Sequence, residues 1–224
     1  MFTRILTTAL FAGVLTGIIA ALLQFWLVQP LLLHAELYED GTLTHFGAAA
    51  NSAHPELPGF DFTRDGLSIL FTAVIYTGYA FLLTAAVALA SELGLATTAR
   101  QGVLWGIAGY VAVQLAPAAG LPPELPGAAA ADVAARQVWW FGTVAATAMG
   151  LWFLAFGKST LVWACAIALL LIPHIIGAPE PETFSGPTPP EVAAHFASRV
   201  LFAGIAAWAI LGTLVAYFWN AEDT

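Results

Sequence analysis

Charged residues are scarce in this chain of 224 residues. Only 9% of them are Asp, Glu, Lys or Arg, whereas an ordinary globular protein has roughly 25%. Six basic and 14 acidic side chains are too few to cover the surface of a soluble domain. With 60% hydrophobic residues and a mean hydropathy of +0.84, the composition predicts an all-α, polytopic membrane protein.

Basic patches, cysteine pairs and nucleotide-binding loops are also lacking. A net charge of −8 leaves no basic surface for nucleic acid. The single cysteine, Cys165, excludes an internal disulfide and any CxxC site. The sequence contains no GxxxxGK[ST] loop, no HExxH and no GxSxG motif. We therefore expect neither ATP hydrolysis nor any other enzymatic activity, and no catalytic residues are predicted.

Long apolar runs, by contrast, fill most of the chain. A window of about 20 residues, the length that crosses a bilayer, finds six of them and predicts six transmembrane helices in one domain covering residues 1–224. The first run is longer than the apolar core of a signal peptide, about 7–15 residues, so we expect it to be retained. The six runs are 5–29, 67–90, 101–117, 137–156, 159–176 and 199–219.

A pentapeptide recurs in the polar connections. Pro-Glu-Leu-Pro-Gly occupies 55–59 and again 123–127, and Pro-Glu-Pro-Glu at 179–182 is a looser copy. These features predict three pseudo-repeated helical hairpins, at approximately 1–95, 96–157 and 158–224, a plan known among transporters. The alternative is coincidence, because Pro, Glu and Gly are common in turns. Each odd-numbered predicted helix also ends near a proline and each even-numbered one begins near an arginine: Pro30, Pro117, Pro173, Arg64, Arg136 and Arg199.

Two pairs of glycines have the spacing of close helix contacts. Gly13 and Gly17 lie in the first predicted helix, and Gly102 and Gly106 lie in the third. Small residues four apart allow two helix backbones to approach. We expect both pairs to lie at helix–helix contacts.

The orientation in the membrane is less well determined by the sequence. Three basic residues fall on each side of the six predicted helices, so the positive-inside rule does not decide. The connections on the side of the termini are short and those opposite are long. We therefore expect both termini to lie on the cytoplasmic side of the membrane.

Histidine and carboxylate residues are concentrated in the three long loops and at their membrane edges. All five histidines and 11 of the 14 acidic residues lie there. A negative face raises the local concentration of cations, and imidazole with carboxylate suits Co²⁺, Ni²⁺ and Zn²⁺. The alternative is that polar residues simply collect in loops. The metal ligands that we predict are His34, His174, Glu36, Glu180, His54 and His45.

Among these, His34 and His174 have comparable positions at the exits of predicted helices, four residues after Pro30 and directly after Pro173. They could converge on one ion, with carboxylates orienting the imidazoles. Within the membrane, Gln24, Gln29 and Gln114 could line a transport path with their amide oxygens, because polar residues there are rare. Their alternative role is an interhelical hydrogen bond.

Three longer segments together resemble the CbtA family. The first runs from Gln24-Phe25 through Val28-Gln29-Pro30-Leu31 to Tyr38-Glu39. The second is Gly120-Leu121-Pro122-Pro123-Glu124-Leu125-Pro126-Gly127 with Ala135-Arg136-Gln137-Val138-Trp139-Trp140. The third is Ile172-Pro173-His174-Ile175-Ile176-Gly177-Ala178-Pro179-Glu180-Pro181 with Pro190-Glu191-Val192-Ala193 and Phe196.

This resemblance implies a cobalt transporter subunit of bacterial inner membranes, associated with cobalamin metabolism and accompanied by a small single-span CbtB-type subunit. His174 lies inside the third matching segment, so it is the first residue to which the resemblance assigns a role in the transport of the ion. We expect Co²⁺, with Ni²⁺ as an alternative, as the transported ion, and no permanently bound cofactor. The rival hypothesis is a non-transporting scaffold or assembly subunit of a larger membrane complex.

Overall fold

The fold is all-α, as a computed structural model shows for residues 1–45, 51–95 and 98–221. No strand occurs in these ranges. The helices are α1 (Phe2–Leu27), α2 (Gln29–Glu39), α3 (Phe62–Glu92), α4 (Ala99–Tyr110), a π-helical segment (Val111–Leu115), α5 (Ala116–Ala118), α6 (Val133–Phe156), α7 (Thr160–Ile176) and α8 (Pro190–Ala221).

Four of these helices are long and apolar enough to cross a membrane. They are α1, α3, α6 and α8, with 26, 31, 24 and 32 residues, and a crossing needs about 20. The predicted spans at 101–117 and 159–176 correspond to shorter elements. The first comprises α4, the π segment and α5, and the second is α7, which has 17 residues.

The first apolar run does not end at Pro30. The helix breaks at Val28 (φ −108°, ψ −46°) and resumes at Gln29 as α2. Proline is tolerated in the first turn of a helix, where its missing N–H has no intrahelical partner and its fixed φ suits the helix. His34 therefore lies on a second helix and not in a loop.

Prolines near the ends of two other helices also lie inside them. Pro173 is three residues before the end of α7, and Gly177, with φ +85°, follows as the residue that terminates the helix. Pro117 lies in α5, directly after the π segment. Pro117 has no N–H to donate to the turn before it. The wide π-helical turn before α5 is therefore a helix distortion of the kind that proline commonly accompanies.

The chain divides into two compact units. The first unit contains Met1–Gln29, Pro58–Tyr110 and the chain from Phe202 on, and the second contains Pro30–Leu57 and Val111–Leu201. The first unit is therefore built from α1, α3, α4 and the later part of α8. The second holds α2, the π segment, α5, α6, α7 and the start of α8.

In the first unit α1 packs directly on α3. A Cβ atom at Gly13 would overlap the Cα of Thr77, and one at Gly17 would overlap the Cα of Ala73. Only glycine permits this distance between the two backbones. The predicted close contact of the first glycine pair is confirmed.

The second glycine pair joins α4 to α8 in the same unit. A Cβ at Gly102 would lie 2.6 Å from the carbonyl oxygen of Gly212, and one at Gly106 would overlap the carbonyl oxygen of Trp208. The Trp208 ring also stacks on Tyr79 with centroids 4.9 Å apart. This contact confirms the second prediction and places a buried indole in the centre of the unit.

The start of α1 and the end of α8 meet in the first unit. Arg4 donates from Nε to the carbonyl oxygen of Trp219 over 2.9 Å and donates a second, shorter bond from Nη2. Its guanidinium also lies 4.2 Å from the centroid of the Trp219 ring, within the range of a cation–π interaction. The start of α1 is thereby fixed to the end of α8.

Candidate functional site

His34 lies on the buried side of α2, in the second unit. Its residue is only 7% exposed, and Leu33, Ala35 and Tyr38 of the same helix are buried with it. The imidazole and the Tyr38 ring have centroids 5.5 Å apart. Within the described part of the chain, the buried Nε2 atom of His34 has no hydrogen-bond partner.

The surroundings of His34 favour the neutral form of its imidazole. Burial lowers the pKa of His34 below its usual 6.5, and the nearby charge of His54 lowers it further. A neutral imidazole with a free nitrogen is the form that binds metal ions. His54 itself is exposed in the first long loop, and its charge acts on the buried His34.

His174 occupies a different environment at the end of α7. It is exposed, and its ring lies edge-on to Trp139 with centroids 6.1 Å apart. Trp139 is buried and donates from Nε1 to the carbonyl oxygen of Pro173 over 3.1 Å. The residue before His174 is therefore held by a side chain of α6.

The remaining predicted ligands are at the surface or close to it. His45 and Glu180 are exposed, and Glu36 is half-buried on α2. Across residues 1–45, 51–95 and 98–221, no group of three or more His, Cys, Asp or Glu side chains is arranged to hold a metal ion. The convergence of His34 and His174 on one ion stays a prediction.

The three glutamines make hydrogen bonds to neighbouring helices. Gln29 donates from Nε2 to Oδ1 of Asp65 over 2.8 Å, and Gln24 accepts at Oε1 from the Thr72 hydroxyl over 3.4 Å. In the second unit, Gln114 donates to the carbonyl oxygen of Val200 on α8 over 3.5 Å. Each thus makes the interhelical hydrogen bond that was its alternative role.

Asp65 is a further candidate for a functional residue. By sequence it is only one of the 11 acidic residues in the long loops and at their edges. It is only 2% exposed, although it lies one turn into α3. Its carboxylate accepts from Nε and Nη2 of Arg64, from Nε2 of Gln29 and from the backbone N–H of Asp61. A buried carboxylate needs this degree of pairing. The adjacent Arg64-Asp65 pair at the edge of an apolar run was the available signal.

Segments that carried the family resemblance meet in the second unit. A Cβ at Gly120 would lie 2.7 Å from the Cβ of Ala178 and 2.8 Å from the Trp139 ring. Arg136 and Glu124 form an ion pair of 2.7 Å between the second loop and α6. The central and C-terminal segments therefore pack against each other.

The loops on either side of these segments are also joined. The N–H of Ala129 donates to the carbonyl oxygen of Ser185 over 2.9 Å. Gly127 adopts a left-handed φ of +78°, and a Cβ there would lie 3.2 Å from Pro187 and 3.6 Å from Glu39. Glycine is favoured at this turn for its backbone conformation, and the turn lies against the end of α2.

No curated protein and no solved structure matches the chain. The sequence model of one family, described as "Probable cobalt transporter subunit (CbtA)", matches residues 2–220, which is nearly the whole chain. The chain therefore belongs to the CbtA family of cobalt transporter subunits.

Proposed function

We propose that this protein is the membrane subunit that takes up divalent cobalt across the bacterial inner membrane and supplies it to cobalamin synthesis. The observation that carries the proposal is His34, whose imidazole nitrogen is buried and unpartnered within the described residues. A buried polar atom left without a partner costs about 1–3 kcal/mol. A ligand that binds this nitrogen would recover that cost.

The chemistry of the residues around His34 suits a borderline cation. Imidazole nitrogen favours Co²⁺ and Ni²⁺ over Mg²⁺ and Ca²⁺, which prefer oxygen. His54, exposed and electrostatically coupled to His34, would capture the ion from solution, assisted by His45 and by Glu36. His174 and Glu180 would act at the end of α7.

We extend the proposal to six crossings in three hairpins. Support comes from the start of two helices, where Asp61 and Asp132 each accept a hydrogen bond from the N–H three residues on. Asp61 and Asp132 thus cap the N-termini of α3 and α6. An arginine in the first turn of each helix contacts the Pro-Glu-Leu-Pro-Gly segment that precedes that helix. Arg64 donates to the carbonyl oxygen of Gly59, and Arg136 pairs with Glu124.

The transport proposal needs no enzymatic step. With the termini in the cytoplasm, the membrane potential would drive the ion inward, at about 2.3 kcal/mol per charge per 100 mV. A CbtB-type single-span subunit would act with this chain. Gln24, Gln29 and Gln114 would lie near the path of the ion.

The test is cobalt uptake by the full chain in proteoliposomes. A negative-inside potassium diffusion potential is imposed, and uptake is measured with and without a CbtB-type subunit. We expect uptake by the wild type and its loss in His34→Ala, with a smaller loss in His174→Ala. His195→Ala is the matched control, because His195 is exposed on α8 and outside the predicted ligand set.

Equilibrium binding of Co²⁺ to the same preparations separates binding from transport. Uptake by His34→Ala at the wild-type rate would contradict the role of His34. Folded wild-type protein that neither retains Co²⁺ nor transports it, even with the partner subunit, would defeat the uptake function and favour the scaffold hypothesis.

A further inference from the structure

A row of polar side chains follows one ridge of α1 in the first unit. On a helix, residues four apart form a ridge that packs against a neighbour. Every second member of this ridge is polar, in a helix that is otherwise almost wholly apolar. The first four members are at most 2% exposed. The ridge consists of Thr8, Ala12, Thr16, Ala20 and Gln24.

A second polar ridge lies on α3. Its members are at most 8% exposed, and three of the five carry a hydroxyl group. The two ridges meet where the Thr72 hydroxyl donates to Oε1 of Gln24 over 3.4 Å. The α3 ridge consists of Thr72, Tyr76, Ala80, Thr84 and Ala88.

The hydroxyl groups on these ridges are not satisfied by their own helices. Threonine in an apolar helix ordinarily donates to the carbonyl oxygen four residues earlier. Thr77 and Thr213 do so in this unit, each over 2.7 Å. Within the described residues, the hydroxyls of Thr8, Thr16 and Thr84 are buried and have no partner.

Beside the α1 ridge, a contact made by glycines packs α1 against α3 without the help of these polar groups. The neighbouring ridge of α1, which contains Gly13 and Gly17, holds the two backbones together at Thr77 and Ala73. Close packing therefore requires only the glycine ridge. The oxygens of the adjacent ridges are additional to that contact, and helix association does not explain them.

The α1 ridge is long enough to cover most of a path through the membrane. Sixteen residues separate Thr8 from Gln24, about 24 Å along a helix, and the hydrocarbon core is about 30 Å thick. Beyond the meeting point of the ridges, Gln29 bonds to the buried carboxylate of Asp65. The ion pair of Asp65 with Arg64 therefore lies beyond one end of the row.

We propose that Thr8, Thr16 and Thr84, together with Gln24 and Thr72, line the route of the transported cation through the first unit. The inference rests on the proposed uptake function and names the route that it requires. Hydroxyl and amide oxygens would replace water molecules of the hydration shell in succession, as carbonyl oxygens do in ion-selective channels. The side chains then have a partner during transport that their own helices do not provide.

Valine substitutions test the route, because valine keeps the shape of threonine and removes its oxygen. We expect Thr16→Val and Thr84→Val each to lower the initial rate of Co²⁺ uptake about tenfold, as expected for one lost oxygen ligand in an apolar interior. Equilibrium Co²⁺ binding should be unchanged, because His34 is intact. Thr16→Ser, which keeps the hydroxyl, should restore most of the rate.

Matched controls come from the hydroxyls that bond to their own helices. Thr77→Val on α3 and Thr213→Val on α8 should transport at the wild-type rate. Thermal unfolding is measured for every variant, and the route variants should unfold at or above the wild-type temperature, because they lose an unpartnered group. A rate loss that follows a lower unfolding temperature, or that Thr16→Ser fails to restore, would contradict the route.

The outcomes separate the route from the uptake function. Normal uptake by the Thr8, Thr16 and Thr84 valine variants, with uptake lost in His34→Ala, would overturn the route and leave the function standing. Absence of uptake by the folded wild type together with its partner subunit would overturn both. Slow uptake confined to the route variants, with normal controls, is the result that we expect.

Discussion

The indole Nε1 of Trp139 donates a hydrogen bond of 3.1 Å to the carbonyl oxygen of Pro173. This bond joins α6 to the last turn of α7 at the residue before His174. The same carbonyl oxygen accepts from the N–H of Gly177, also over 3.1 Å. The carbonyl oxygen of Pro173 thus accepts the last hydrogen bond of α7 and also joins α7 to α6.

We expect Trp139→Phe to weaken this anchor. The phenyl ring keeps most of the packing but lacks a donor, and a net loss of about 0.5–1.5 kcal/mol in the free energy of unfolding follows. The measurement is unfolding in detergent. Trp163→Phe is the control, because Trp163 donates an equally long bond to Gly157 from an exposed position. Equal losses in both variants would show that burial of the bond is unimportant.

Gly17→Ala should destabilise the first unit. The new methyl group would overlap the backbone of Ala73, so α1 and α3 must separate, at a cost of about 1–3 kcal/mol for an overpacked contact. Gly78→Ala on α3 is the control, since a Cβ there meets nothing within 4 Å. We expect the control to be neutral or slightly stabilised, because alanine is the better helix former. Similar unfolding temperatures for the two variants would contradict the close contact.

Asp65→Asn should destabilise the fold by leaving Arg64 beside a neutral group. Removing one partner of a buried ion pair costs about 3–5 kcal/mol. The Arg64 side chain is 32% exposed, so we expect a smaller loss of about 1–3 kcal/mol because solvent screens the charge.

Two further variants test that explanation. The charge-neutral double variant Arg64→Gln/Asp65→Asn should recover part of the loss. Glu124→Gln, in the half-exposed pair with Arg136, should cost no more than about 1 kcal/mol. If the double variant is less stable than Asp65→Asn alone, the unpaired charge of Arg64 is not the cause.

The stability of the protein should fall as the pH is lowered below about 6.5, in part because of His34. Burial and the charge of His54 lower the pKa of His34 in the folded protein. Between the lowered pKa and 6.5 the unfolded chain binds more protons at this position than the folded one. The stabilisation is therefore present above pH 6.5 and is lost as the pH falls through this window.

The measurement is the unfolding temperature between pH 5 and pH 8 for the wild type, His34→Gln and the exposed-site control His195→Gln. We expect a shallower pH dependence in His34→Gln than in the other two proteins. Identical slopes for all three would exclude His34 as a source of the effect.

Patterns between neighbours in the sequence predicted the helical class and the glycine contacts, whereas four helices, and not six, are long and apolar enough to cross a membrane in the described residues. The all-α class follows from composition, and the contacts of Gly13, Gly17, Gly102 and Gly106 follow from their spacing. Helix α2 was missed because Pro30 suggested an end, whereas a proline in the first turn of a helix is compatible with its continuation.

The candidate site was less predictable, because burial depends on distant parts of the chain. The adjacent Arg64 marks Asp65 as a residue of interest, but it does not show that Asp65 is buried whereas Glu36 is half-buried. The coupling between His34 and His54 likewise depends on the path of a loop. Sequence alone identified the residue types that bind cations but not their arrangement.

The bond between Arg4 and Trp219 has a topological consequence. Because it fixes the start of α1 to the end of α8, those two ends share one face of the first unit. If that face lies at one membrane surface, the stretch from α1 to α8 should cross the membrane an even number of times, and both four and six crossings satisfy that parity. A reporter attached at either terminus should therefore report the same compartment.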